Sequence, residues 1–92
     1  MAITGFARPA RATTATVEIN RFAFAPAEIE IAAGGAVIFV NRDLVPHTAT
    51  GDAFDTGPLR TGDQKEIVFP ARGEYEYLCR FHHQMRGRVI VG

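Results

Sequence analysis

Apolar and polar residues alternate along much of this chain. Val17 and Ile19 are spaced by Glu18 and Asn20, and Ile29 and Ile31 by Glu28 and Glu30. Ile67 and Phe69 alternate with Glu66 and Val68, and Tyr75 and Tyr77 with Glu74 and Glu76. A period of two puts successive side chains on opposite faces of a strand, one toward a core and one toward water. Val37 to Val40 is a continuous apolar run, the pattern of a strand covered on both faces. Helical periodicity is weak throughout. Turn residues punctuate the runs: Gly34-Gly35 between two strands, Pro70 with Gly73 between two more, and Gly57-Pro58 with Thr61-Gly62-Asp63 in a long connection from 51 to 64. The pattern predicts strands near 15–20, 27–33, 36–41, 47–50, 64–69, 73–78 and 86–91, with Pro26 marking a kink or an edge. Short strands at this spacing predict an all-β sandwich or barrel. Phe22, Phe24, Phe39 and Phe69 are expected in its core, and Tyr75 and Tyr77 at core and rim.

Length and composition narrow this picture. The chain has 92 residues, enough for one domain and too few for two. Its 10 basic and 10 acidic side chains cancel, which argues against general nucleic-acid binding and against a polybasic membrane anchor. Ala32 to Val40 is too short to span a bilayer, which takes roughly 20 apolar residues as a helix. Residues 1–16 carry Arg8, Arg11 and Pro9, no acid, and the small-residue run Ala12 to Thr16. They read as a flexible leader or linker, leaving 17–92 as the domain. Ala10-Arg11-Ala12 has the small-x-small form of a signal-peptidase site, but no apolar segment precedes it, so a complete signal peptide is not expected here.

The candidate chemistry lies near the C-terminus. Cys79 is the single cysteine, so it cannot form an intramolecular disulfide. A lone cysteine is ordinarily a small buried hydrophobe. This one is followed by His82, His83 and Met85 in a C-x2-H-x2-M loop, which can wrap three side chains around one point. A fourth donor must come from elsewhere, and His47, stiffened by Pro46, is the only histidine outside the loop. Two imidazoles and a thiolate with a weak axial thioether form the donor set of a blue-copper electron-transfer site. Soft sulfur suits Cu(I) and imidazole nitrogen suits Cu(II), so both oxidation states are accommodated with little rearrangement. Zinc fits less well, because structural zinc takes Cys and His rather than methionine. Gln84 is an alternative axial donor. His83 competes chemically with His82; otherwise it is a solvated residue that could tune the site with pH.

The run from Asn41 through Pro46-His47-Thr48, followed by Gly73 through Cys79, His82, Met85 and Gly87 to Val91, resembles the cupredoxins. The short ligand loop is most similar to that of the amicyanins; plastocyanins and pseudoazurins place the methionine further on. The resemblance covers about 17–92. It implies a Greek-key β-sandwich of about seven or eight strands, with one type 1 copper ion near one end held by His47, Cys79, His82 and Met85. It implies a supporting role for Asn41, as a side-chain pin on the ligand loop, and for Thr48, whose hydroxyl could bond to that loop. The chain departs from the amicyanin pattern in carrying Phe81 and His83 in a loop that is proline-rich there, and Thr48 where Asn is common.

The expected function is therefore one-electron transfer between redox proteins of the cytochrome c, dehydrogenase or oxidase type. Contacts would be transient, made by a monomer in the periplasm or otherwise exported. Copper storage, delivery or sensing is the alternative. An enzyme is not expected, since four protein donors leave no position open for substrate. Arg80, Arg86 and Arg88 are expected to form a positive rim around His82 that guides an acidic partner.

Overall fold

The computed structural model describes residues 12–92, and these residues form strands, turns and bends. The strands are β1 (Ala12–Asn20), β2 (Ala23–Ala25), β3 (Glu28–Asn41), β4 (Thr50–Gly51), β5 (Gln64–Val68), β6 (Gly73–Cys79) and β7 (His82–Val91). The hydrogen-bonded order is β2-β1-β3-β7-β6-β4, with β5 on β3. β1 lies parallel to β3 and β3 parallel to β7, while the β1–β2, β3–β5, β4–β6 and β6–β7 pairs are antiparallel.

The two strands expected on either side of Gly34-Gly35 are one continuous run, β3. Its first part, Glu28 to Ile31, pairs with β7; its second, Ala36 to Val40, pairs with β5. Gly34 has a φ of 87°, open to glycine at no steric cost, and this bend lets one strand serve two layers of the sandwich. β1 begins at Ala12, so the small-residue run read as linker is strand for its whole length; the rest of that stretch, 1–11, lies outside the described residues. β2 was not anticipated. The expected strand at 47–50 is reduced to β4 and an isolated pairing of His47 with Leu59.

The alternating apolar positions face inward as predicted. Val17, Ile19, Ile31, Val37, Phe39 and Val89 are all fully buried. Among the aromatic residues, Tyr77 packs edge-on against Phe24, Phe39 and Phe54, with ring centroids 4.7, 5.3 and 5.7 Å away. Its hydroxyl is buried without a hydrogen-bond partner among the described residues, and burial raises its pKa above the usual phenol value. Tyr77→Phe removes this orphan and is expected to raise stability by about 1 kcal/mol, read from denaturant melts.

Candidate metal centre

The ligand segments are built at one end of the sandwich by a hairpin and a pinned loop. β6 and β7 join through a two-residue turn, Arg80-Phe81, in place of the longer loop expected up to 86, and Cys79 pairs directly with His82. The ladder resumes at Leu78 opposite Arg86, so His83, Gln84 and Met85 are accommodated in a bulge. Had the ladder run on without a bulge, Cys79 would stand opposite Met85. Side chains alternate across a strand, so Met85 shares the inward face with Gly87, and opposed Tyr77 and Cys79 point the same way. Met85 and Cys79 are accordingly buried in one cluster, whereas His83 and Gln84 on the bulge are exposed.

His47 reaches the same place from the loop after β3. The pairing of its backbone with Leu59 (N–H to O 3.1 Å, O from N–H 2.8 Å) holds its main chain. Asn41 holds the approach. Its amide donates to the carbonyls of Val45 (2.9 Å) and Leu59 (2.7 Å), and its side-chain oxygen accepts from the Asp43 N–H (2.8 Å). Asn41 therefore pins the loop that carries His47, not the Cys79–Met85 segment that the resemblance suggested. Thr48 does meet that segment: its hydroxyl accepts from the Arg80 N–H at 2.9 Å, and its own N–H donates to the Cys79 sulfur at 3.4 Å.

The result is a convergence of donors. Cys79 Sγ lies 3.6 Å from His47 Nδ1 and 3.6 Å from His82 Nδ1. One ligand atom from each of these residues falls within 4.8 Å of the others. His47 and Cys79 are wholly buried and His82 is partly so. The His47 Nε2–H donates to Asp43 Oδ2 at 2.8 Å, which leaves the Nδ1 lone pair facing the sulfur. An imidazole held by a carboxylate on its far nitrogen is the usual posture of a metal-ligating histidine. A thiol and two imidazole nitrogens, with a thioether on the same inward face, fit a copper ion in both oxidation states.

Asp43 was not singled out from the sequence. Burial pushes its carboxyl pKa up, but the N–H groups of Phe22 and Arg21 and the His47 ring outweigh that and hold it below the ordinary value. Phe22, expected in the core, is 46% exposed and stands over the two histidines. An acid four residues before His47 is a weak signal that could have pointed to Asp43; nothing in Asn20-Arg21-Phe22-Ala23 signals the placement of Phe22.

Of the three arginines expected to rim the site, two are ion-paired elsewhere, while Arg86 is exposed opposite Leu78. Arg88 lies away from the turn, ion-paired with Glu28 and Glu74 at 3.0 Å each, and Arg80 pairs with Asp55 at 3.3 Å. Asp55 also accepts from the Gly57 N–H and the Thr50 hydroxyl, tying the ligand hairpin to the loop after β4. Its carboxyl is lowered chiefly by the Gly57 N–H, against burial, with help from Thr50 and Arg80. A depressed carboxylate stabilises the fold above its unfolded pKa and loses that contribution as pH falls through the folded value. Asp55→Asn is therefore expected to melt at a lower temperature than the parent at pH 7. The gap should close as pH falls through the depressed folded value, below which both forms are uncharged; thermal melts at acid pH check it.

A family model described as a Cupredoxin-like domain matches residues 1–91. Amicyanin-alpha of Methylorubrum extorquens is 33% identical over 89% of this chain and 75% of its own length. The amicyanin of Paracoccus versutus is 36% identical over 87% of this chain and 66% of its own. Among solved structures, a novel purple cupredoxin from Nitrosopumilus maritimus superposes with a TM-score of 0.79 at 32% identity, covering 85% of this chain and 99% of that one.

Proposed function

The chain belongs to the cupredoxin-like family, and from that membership we propose that it carries single electrons on one type 1 copper ion held by His47, Cys79, His82 and Met85. The observation that carries this reading is the convergence of a buried thiol and two imidazole Nδ1 atoms within 4.8 Å. Copper bound there supplies a one-electron couple between Cu(II) and Cu(I). The chain's own residues prepare the place for it. The Thr48 N–H donates to the Cys79 sulfur and fixes the direction in which it faces the centre. Asp43 orients His47, Asn41 holds the loop that carries it, and Thr48 ties that loop to the turn at Arg80. These bonds hold the donors from outside the centre, so little would need to move when the charge changes.

A carrier fits this arrangement better than an enzyme, because protein donors fill the positions a substrate would need. The partner would be another redox protein, docking briefly through a small interface. Phe22, Leu44, Val45 and Phe81 are exposed apolar side chains on or beside the ligand-bearing segments, and with Arg80 and Arg88 paired elsewhere they are the favoured contact surface. Export to the periplasm belongs to the same proposal.

Adding Cu(II) to the metal-free protein tests the reading. An intense blue colour that ascorbate bleaches, and that Cys79→Ser abolishes, is expected. A pale blue product in the parent protein would sink the thiolate assignment. Electron self-exchange then separates a carrier, in which it is fast, from a protein that stores or delivers copper.

A further inference from the structure

Phe22 occupies a position that neither core packing nor backbone preference explains. It is 46% exposed. It lies at φ 57°, directly after Arg21 at φ 55°, in the turn between β1 and β2. Two successive residues in the left-handed region are the mark of a tight hairpin turn that asparagine or glycine would occupy with less strain, and a phenylalanine there is an outlier. Such outliers persist where the surroundings hold them, and they gather at functional sites.

What holds this one is the metal centre's own scaffold. The Arg21 and Phe22 N–H groups donate to the two carboxylate oxygens of Asp43 at 2.7 and 2.9 Å. The same carboxylate takes the His47 Nε2–H. Asp43 thus joins the turn to the imidazole it orients. The Phe22 ring meets the rings of His47 and His82 nearly perpendicular to both, with centroids 5.1 and 4.9 Å away, and the two imidazoles lie 5.0 Å from each other. The three rings form a nearly equilateral triangle, with Phe22 at the solvent corner and the His47–His82 seam as the opposite side.

We propose that Phe22 is the shield of the metal centre, a positioning residue whose ring closes the seam between His47 and His82 and keeps small solutes from Cys79 and the donor nitrogens. The proposal deepens the copper reading and rests on it for the purpose of the shield: a thiolate and two imidazoles that must exchange electrons gain from exclusion of competing donors and of oxidants. The Asp43 staple explains how a half-exposed ring stays in place, and the position explains why its left-handed backbone is tolerated.

Cys79 is the chain's only cysteine, so its alkylation by iodoacetamide reports access to the centre without any metal. In the full-length metal-free protein, Phe22→Gly, which suits the left-handed turn, is expected to be alkylated at least about tenfold faster than the parent under folding conditions. Phe22→Tyr, which keeps the ring, should react at the parent rate. Val89→Ala, a destabilising change at a buried position, controls for exposure through unfolding and should react more slowly than Phe22→Gly. In copper-loaded protein, imidazole should alter the absorption of Phe22→Gly at concentrations that leave the parent unchanged. Equal alkylation of Phe22→Gly and parent would overturn the shield, as would Phe22→Tyr reacting like Phe22→Gly or Val89→Ala matching it. Failure of the parent to turn blue would overturn the copper reading instead and leave the metal-free result standing.

Discussion

Asn41→Ala is expected to lose about 3 kcal/mol of folding stability, because it removes three hydrogen bonds at once, leaving the Val45 carbonyl and the Asp43 N–H without a partner and the Leu59 carbonyl with the His47 N–H alone. The Asn41 side chain is fully buried, and its amide and oxygen serve the carbonyls of Val45 and Leu59 and the N–H of Asp43. Alanine offers none of these partners and no water can follow into the space at no cost. For a domain of this size the midpoint should fall on the order of 15 °C. The damage should also reach the metal, since His47 sits on the loop that Asn41 holds; copper affinity is expected to drop roughly tenfold or more. Asn41→Asp discriminates between shape and hydrogen bonding. It is nearly isosteric and keeps an acceptor for Asp43, but it places an acid against two carbonyl oxygens, so it should be no better than alanine. Denaturant melts and competitive copper titrations give both numbers. An alanine variant within about 0.5 kcal/mol of the parent, the ordinary range for an uninvolved surface site, would remove this role.

Gly87→Ala is expected to cost about 2 to 3 kcal/mol through overpacking rather than through backbone conformation. A Cβ at Gly87 would land on the Cζ and hydroxyl of Tyr77, the residue opposite it in the β6–β7 ladder. Tyr77 cannot swing aside, because Phe24, Phe39 and Phe54 surround its ring. The clash falls on the strands that carry Cys79 and Met85, so the blue absorption should shift as well. A double-mutant cycle tests the cause. In a Tyr77→Leu background the same Gly87→Ala change should lose most of its penalty, giving a coupling of about 1 kcal/mol or more. Additive losses would place the cost elsewhere.

The two predictions mark different degrees of legibility. Asn41 and Thr48 stood in the sequence next to His47, and the resemblance to a family drew attention to them. The sequence did not say which segment each would hold, because a hydrogen bond depends on which carbonyl the fold brings within reach. Gly87 read only as part of a motif; that it makes room for a tyrosine ring became visible with the register of β6 on β7. The arginines near the ligand loop illustrate the same limit. Adjacency in sequence suggested a positive rim, but strand pairing carried Arg88 away to Glu28 and Glu74 and gave Arg80 to Asp55.

By itself the sequence determined the strand-forming character of the chain, through its period-two alternation, and the donor types of the centre, through one cysteine, a methionine and histidines at loop spacing. Both are local: the alternation decides which face is apolar, and the spacing decides which donors a single turn can gather. Only the tertiary structure decided that β3 bends at Gly34 to serve two layers, that β7 begins at His82 with Met85 carried inward past a bulge, and that Asp43 and Phe22 belong to the centre. Each of those rests on pairing or packing between segments distant in sequence. Such contacts arise from the closure of the whole sandwich, and no periodicity or short motif encodes them.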